Sequence, residues 1–160
     1  MSKVINSIEQ MQIEIDLLAT NVVRSVASRM TEKLKEFIDI DVYSYPETWG
    51  GRTGQFQDSW EYSEPITNFG YIESTIFENL MRIPFDGRWS HGSNYSRMEE
   101  FNLAEIINNG LDTSNFNFPP IESRPFWNDW VQWATLEFDN LFIEESAKHG
   151  ITMDRSLSFK

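Results

Sequence analysis

The chain has 160 residues, with 13 basic side chains against 25 acidic ones and a formal net charge of −12. A surface of that sign repels nucleic acid and anionic membrane, and no basic patch interrupts it. Hydrophobic residues at 40% and charged residues at 24% belong to a globular chain, and the absence of cysteine excludes disulfides, thiolate metal sites and a cysteine nucleophile.

This length predicts a single domain over residues 1–150 and a C-terminal tail over residues 151–160. The first residues show no charged start followed by an apolar run, so no signal peptide is expected. No stretch reaches the roughly 18 apolar residues of a membrane span.

Residues 3–37 predict a long helix. Ile5, Ile8, Gln12, Ile15, Ala19, Val22, Val26, Met30, Leu34 and Phe37 step by three or four, and Met11, Leu18 and Val23 widen that stripe. Neither Gly nor Pro interrupts it, so it would extend roughly 50 Å. That exceeds an ordinary globular helix. Either it breaks near Thr20–Asn21, or one half projects and meets a partner chain.

Residues 39–51 read as a connector, ended by Pro46 and the Gly50–Gly51 pair. In residues 56–62, Phe56, Asp58, Trp60 and Tyr62 alternate with Gln57, Ser59 and Glu61, which predicts a half-buried strand. Residues 65–70 read as a turn and residues 71–80 as a second strand, closing an antiparallel hairpin. Residues 84–96 form a long glycine- and serine-marked loop carrying Arg88, Trp89, His91 and Tyr95, of a kind more often functional than idle. Residues 98–109 return to helical spacing, with Gly110 as the stop. Residues 111–122 are irregular.

Residues 123–150 predict the second long helix. Pro125 suits its first turn and Ser123 its N-cap, while Asp129 sits at the positive end of the dipole. Lys148 and His149 sit at the negative end, and Gly150 supplies the stop. Between them Phe126, Trp127, Trp130, Val131, Trp133, Ala134, Phe138, Leu141 and Phe142 cover more than half the circumference. That is a core helix whose surplus tryptophans are candidates to meet a neighbouring subunit. The order of elements gives an α+β fold, an antiparallel β-sheet with a long N-terminal helix and a long C-terminal helix packed on it.

Little in the sequence points to catalysis. His91 and His149 are the only histidines and have no ligand-spaced companions, so no metal site is expected. There is no Gly-x-Ser-x-Gly elbow and no phosphate loop. Glu99–Glu100 and Glu144–Glu145 are adjacent pairs, about 100° apart on a helix, and read as solvated faces rather than as converging carboxylates. No catalytic residue and no cofactor is assigned. One alternative remains: Trp89 and Tyr95, with Asp86 nearby, suit sugar stacking, as in a carbohydrate-binding or hydrolytic module.

Two short motifs carry a resemblance. Thr53-Gly54-Gln55-Phe56-Gln57-Asp58-Ser59 opens the hairpin, and Arg124-Pro125-Phe126-Trp127 opens the last helix; Tyr95 with residues 105–110 fits loosely between them. In this order, across residues 15–148, the chain resembles the tail-completion proteins of long-tailed bacteriophages, the neck or minor tail components that join head to tail. The resemblance implies a virion structural protein of the neck rather than an enzyme, assembled in the host cytoplasm. Its implied form is a homo-oligomeric ring, often of six subunits, between a head-closure or connector protein and the tail tube or tail terminator protein. DNA would pass through the lumen without specific binding, and no membrane is involved. Thr53, Gly54, Ser59, Arg124, Pro125 and Phe126 would be the motif's structural residues. Arg88, Trp89, His91, Tyr95, Arg124, Trp127 and Trp130 are the candidate interface residues.

These motif residues also have physical uses of their own. Gly54 permits a sharp approach to the strand, Thr53 and Ser59 can satisfy nearby backbone groups, and Arg124 can hold a carboxylate in a bidentate pair.

Overall fold

The computed structural model describes residues 7–44, 54–68, 70–82, 103–110 and 122–153. Its contacts cluster into two compact units. The first draws on residues 1–30, 62–76 and 134–160, the second on residues 31–61 and 77–133. The fold is α+β, as the element order predicts.

The first helix, α1 (Ile8–Ile38), begins just after Ser7, whose Oγ accepts from the Gln10 amide at 3.1 Å. This is an N-cap. The helix does not break at Thr20–Asn21. Thr20 Oγ1 donates to the Asp16 carbonyl at 2.7 Å, and Asn21 Oδ1 accepts from Arg24 Nη1 at 2.8 Å. Both polar side chains are thus satisfied without leaving helical geometry. A π-helical turn, Asp39–Tyr43, continues the chain with Val42 buried.

The predicted strand over residues 56–62 is half wrong, for a clear reason. Gly54 adopts φ 73° and caps a short helical turn, α2 (Gln55–Asp58). Ser59 closes it, its amide donating to the Gln55 carbonyl at 2.9 Å and its Oγ to the Phe56 carbonyl at 2.7 Å. The buried residues are Phe56, Ser59 and Trp60, spaced i, i+3, i+4. That is helical spacing, which competes in the sequence with the two-residue alternation. Only β1 (Trp60–Tyr62) is extended.

Three further short strands follow: β2 (Ile66–Asn68), β3 (Tyr71–Glu73) and β4 (Ile76–Glu78). β2 and β3 pair antiparallel, with Ile66 opposite Glu73 and Asn68 opposite Tyr71. β1 pairs with β4. The Asn79 amide bonds the Ser59 carbonyl at 2.7 Å and the Ser63 amide bonds the Thr75 carbonyl at 2.8 Å, so this ladder is antiparallel too.

The hairpin is therefore present, but its turn is tighter than predicted, since β2 occupies much of residues 65–70. The second strand is also cut at Ser74–Thr75. There Ser74 Oγ donates to the Ser63 carbonyl at 2.7 Å, and Ser63 Oγ accepts from the Thr75 amide at 3.0 Å. Hydroxyls replace the ladder bonds that the interruption removes.

α3 (Leu103–Asn109) and α4 (Phe126–Lys148) complete the described elements. Residues 98–102 of the predicted third helix lie outside the described residues. α4 ends as expected: Gly150 takes φ 79°, the Ile151 amide returns to the Ser146 carbonyl at 2.9 Å and the Gly150 amide to the Ala147 carbonyl at 3.0 Å. This is the paired closure that a left-handed C′ glycine allows.

Its N-terminus differs from prediction. Ser123 is not the cap; its Oγ donates to the Asn108 carbonyl at 2.6 Å. The Asn108 Oδ1 instead accepts from the Trp127 and Asn128 amides, at 3.1 and 3.4 Å. Asn108 is buried, so a side chain from α3 supplies the cap from inside the second unit. Among the described residues no helix is long and apolar enough to cross a membrane.

Candidate functional site

In the second unit the two motif segments meet. Phe126 is fully buried, with its ring centroid 5.5 Å from Phe56 at 89° and 6.2 Å from Trp60 at 70°. Phe56 lies edge-on to Trp60 at 6.3 Å. Trp60 stacks on Trp127 at 5.3 Å, and Trp127 meets Trp130 at 4.8 Å. Helix α4 thus packs on α2 and β1 through five rings in edge-to-face, stacked and tilted geometries, which add to what area burial alone gives.

Local sequence explains the placement. Pro125 pre-sets the first turn of α4 so that Phe126 enters the core at once, and its carbonyl takes the Asp129 amide at 3.0 Å. Gly54 turns the chain so that Phe56 and Ser59 point the same way. Arg124 Nη1 donates to the Val42 carbonyl at 3.0 Å and its amide to the Ile107 carbonyl at 2.9 Å. Its guanidinium is therefore a backbone tie to the π-helical turn. Trp130 is buried and Trp127 half-buried, so both predicted interface tryptophans pack within the unit.

Asp41, in the same π-helical turn, has a buried Oδ2 with no hydrogen-bond partner. Burial, and then the charge of Asp129, push its carboxyl above the ordinary aspartate range. Burial does the same to Glu78, opposed by a hydrogen bond from the Ala104 amide. A shallow groove of about 360 Å³ is lined by Glu32, Lys35, Glu36, Asp39, Gln57 and Asp58. Gln57 is fixed there, its Nε2 donating to the Lys35 carbonyl at 2.8 Å and its amide to Tyr43 Oη at 3.2 Å. No group of three or more metal-ligating side chains is assembled among the described residues.

The first unit is held differently. Arg29 Nη1 donates to Glu144 Oε2 at 2.7 Å and to Glu145 Oε1 at 2.8 Å, and Lys148 Nζ reaches the same Glu145 oxygen at 2.6 Å. Glu145 is buried. Burial alone would raise its pKa, but the hydrogen bonds and charges of Lys148 and Arg29 outweigh it and hold the carboxyl below its ordinary value.

The reading of Glu144–Glu145 as solvated side chains holds for Glu144, which is exposed, and is corrected for Glu145, which is buried; both converge on one arginine. The signal was present, since residues 130, 134, 141 and 145 follow one helical line whose other members are apolar. His149, placed from sequence at the helix C-terminus, also lies with Nε2 3.1 Å from Ser25 Oγ.

The remaining predicted site residues, Thr53, Arg88, Trp89, His91 and Tyr95, lie outside the described residues, as does Asp86 of the sugar-stacking alternative. Asn108 was missed as a functional residue because an Asn two positions before a glycine reads first as part of a helix stop. No family model, curated protein or solved structure matches this chain.

Proposed function

We propose that the chain is a non-catalytic structural adaptor of a bacteriophage neck, a ring-forming tail-completion protein that joins the head connector to the tail tube. The observation that supports this reading best is the meeting of the two motifs. The turn at Gly54–Ser59 and the opening of α4 at Arg124–Trp127 lie far apart in sequence and pack as one aromatic cluster around Phe126. Each residue of the resemblance that falls among the described ones has a backbone or packing role there. Gly54 is left-handed, Ser59 closes a turn, Arg124 ties a carbonyl and Phe126 fills the core.

A domain organised to hold a rigid helix start suits an adaptor that presents fixed surfaces to its neighbours. The strong negative charge suits a lumen along which DNA slides without sticking. A ring closes by heterologous contacts, two different patches of one chain meeting at every junction.

The test is direct. Purified protein is mixed with isolated tail tubes, and then with DNA-filled heads. Sedimentation with the tubes at a fixed number of copies, and recovery of joined particles, is the expected result. Protein that neither sediments with tubes nor promotes joining of heads to tails removes the reading.

A further inference from the structure

In the first unit, α4 ends beside Ser25, where His149 makes its contact. Val22 and Val26 are buried, yet none of residues 8–18 is. Those three turns, about 15 Å of helix, are nonetheless rich in apolar side chains: Ile8 is 78% exposed and Ile13 64%, with Met11, Ile15, Leu17 and Leu18 exposed as well.

Their arrangement has two faces. At about 100° per residue, Ile8, Met11, Ile15 and Leu18 fall within an arc of about 80°, and Ile13 and Leu17 centre about 160° away. The first set has the three-and-four spacing by which one helix seats on another. A helix that is apolar on opposite sides is built to lie between two neighbours.

We infer that residues 8–18 are a two-faced docking segment for other copies of this chain, the Ile8/Met11/Ile15/Leu18 face of one copy seating on the Ile13/Leu17 face of the next. The inference rests on the ring reading and names one of the contacts that would close the ring. A symmetric pair would cover the larger face in both copies and leave Ile13 and Leu17 in water. A head-to-tail contact covers both faces with one kind of junction, and it propagates around an axis.

Charge agrees with this occupant. Neither face carries an ionised side chain. Polar residues fill the two arcs between the faces: Glu9, Gln12 and Asp16 on one side, Gln10 and Glu14 on the other. With neighbouring helices packed parallel, the rims bring Gln12 beside Glu9 of the next copy and Glu14 beside Gln10 of the next copy. Each rim sets an amide beside a carboxylate of the next copy.

The experiment uses the full chain and measures its mass in solution by sedimentation and light scattering over a rising concentration series. The wild type is expected to exceed twice the 18.8 kDa of one chain. The double variant Ile15→Glu with Leu18→Glu removes one face, and Ile13→Glu with Leu17→Glu removes the other. All four side chains are exposed, so circular dichroism should match the wild type in both.

Each variant alone is expected to fall to monomer mass. An equal mixture of the two should return a species of two chains, because one complementary junction survives between them. A wild type that stays monomeric at every concentration overturns the inference, as does a variant that keeps the wild-type mass or a mixture that stays monomeric. A chain that assembles in this way but fails to join heads to tails would sink the neck reading and leave this one standing.

Discussion

Within each of the two units α4 is held by a different means. In the second, α4 is pinned by rings: Phe126 is fully buried against Phe56 and Trp60, with Trp127 stacked on Trp60 and Trp130 tilted against Trp127. In the first, the other end of α4 is held by charge, with Glu145 buried between Arg29 and Lys148 and Glu144 on the same arginine. Apolar contacts are non-directional and scale with area, so the aromatic junction should tolerate salt and acid but not the loss of volume. The ionic junction depends on one carboxyl remaining ionised.

The strongest way to break the contrast is Phe126→Ala. It empties a site with no exposure at all. The transfer and cavity terms together should cost about 3–5 kcal/mol. Chemical unfolding with tryptophan fluorescence reads it, since Trp60 borders the cavity and Trp127 stacks on Trp60. A loss under about 1 kcal/mol would mean that the cluster does not anchor α4.

Gly54→Val comes next, at about 1–3 kcal/mol. A Cβ there would meet nothing within 4 Å, so crowding is not the cause. The cost lies in φ 73°, which a β-branched residue resists. Gly54→Asn should therefore lose less than Gly54→Val. Equal losses in the two variants would point to packing and not to backbone.

Glu145→Gln probes the other unit and should cost about 1–2 kcal/mol at neutral pH, discounted because Arg29 and Lys148 are well exposed. The sign with pH is fixed by the direction of the shift. The folded pKa lies below the ordinary 4.5, so Glu145 contributes stability above that value and loses it as pH falls through the depressed one. The gap between wild type and Glu145→Gln should close in acid. A gap of constant size would show that the charge contributes nothing.

Legibility followed the same divide. The long helices, the Gly110 and Gly150 stops and the aromatic face of α4 were readable because helical periodicity and C′ glycines are local signals. The turn at residues 55–58 was misread because Phe56 and Trp60 belong equally to a two-residue and a four-residue repeat. Ser59, buried through its own turn, decided for the helix. Asn108 and Glu145 could not be assigned locally, since the first caps a helix that begins eighteen residues later and the second is paired with Arg29 from the far end of the chain. Polar groups acquire their roles from partners that spacing does not reveal.

The aromatic unit holds a carboxyl whose pKa moves the opposite way to that of Glu145. Asp41 has an oxygen buried without a partner and faces the charge of Asp129, so its folded pKa is raised. A raised carboxyl gives stability that is full below its ordinary value of 3.8 and is lost as pH rises through the folded value. At neutral pH the ionised group is therefore a burden, and Asp41→Asn should stabilise the protein by up to about 1 kcal/mol. The gain should shrink as pH falls, because the wild type then becomes neutral too. Urea unfolding of both proteins at neutral pH and below 3.8 measures this. Its pH slope has the reverse sign to that of the Glu145 pair: acid weakens the ionic junction while relieving Asp41. A gain that persists unchanged in acid would place the benefit in packing of the amide and remove the electrostatic account of this turn.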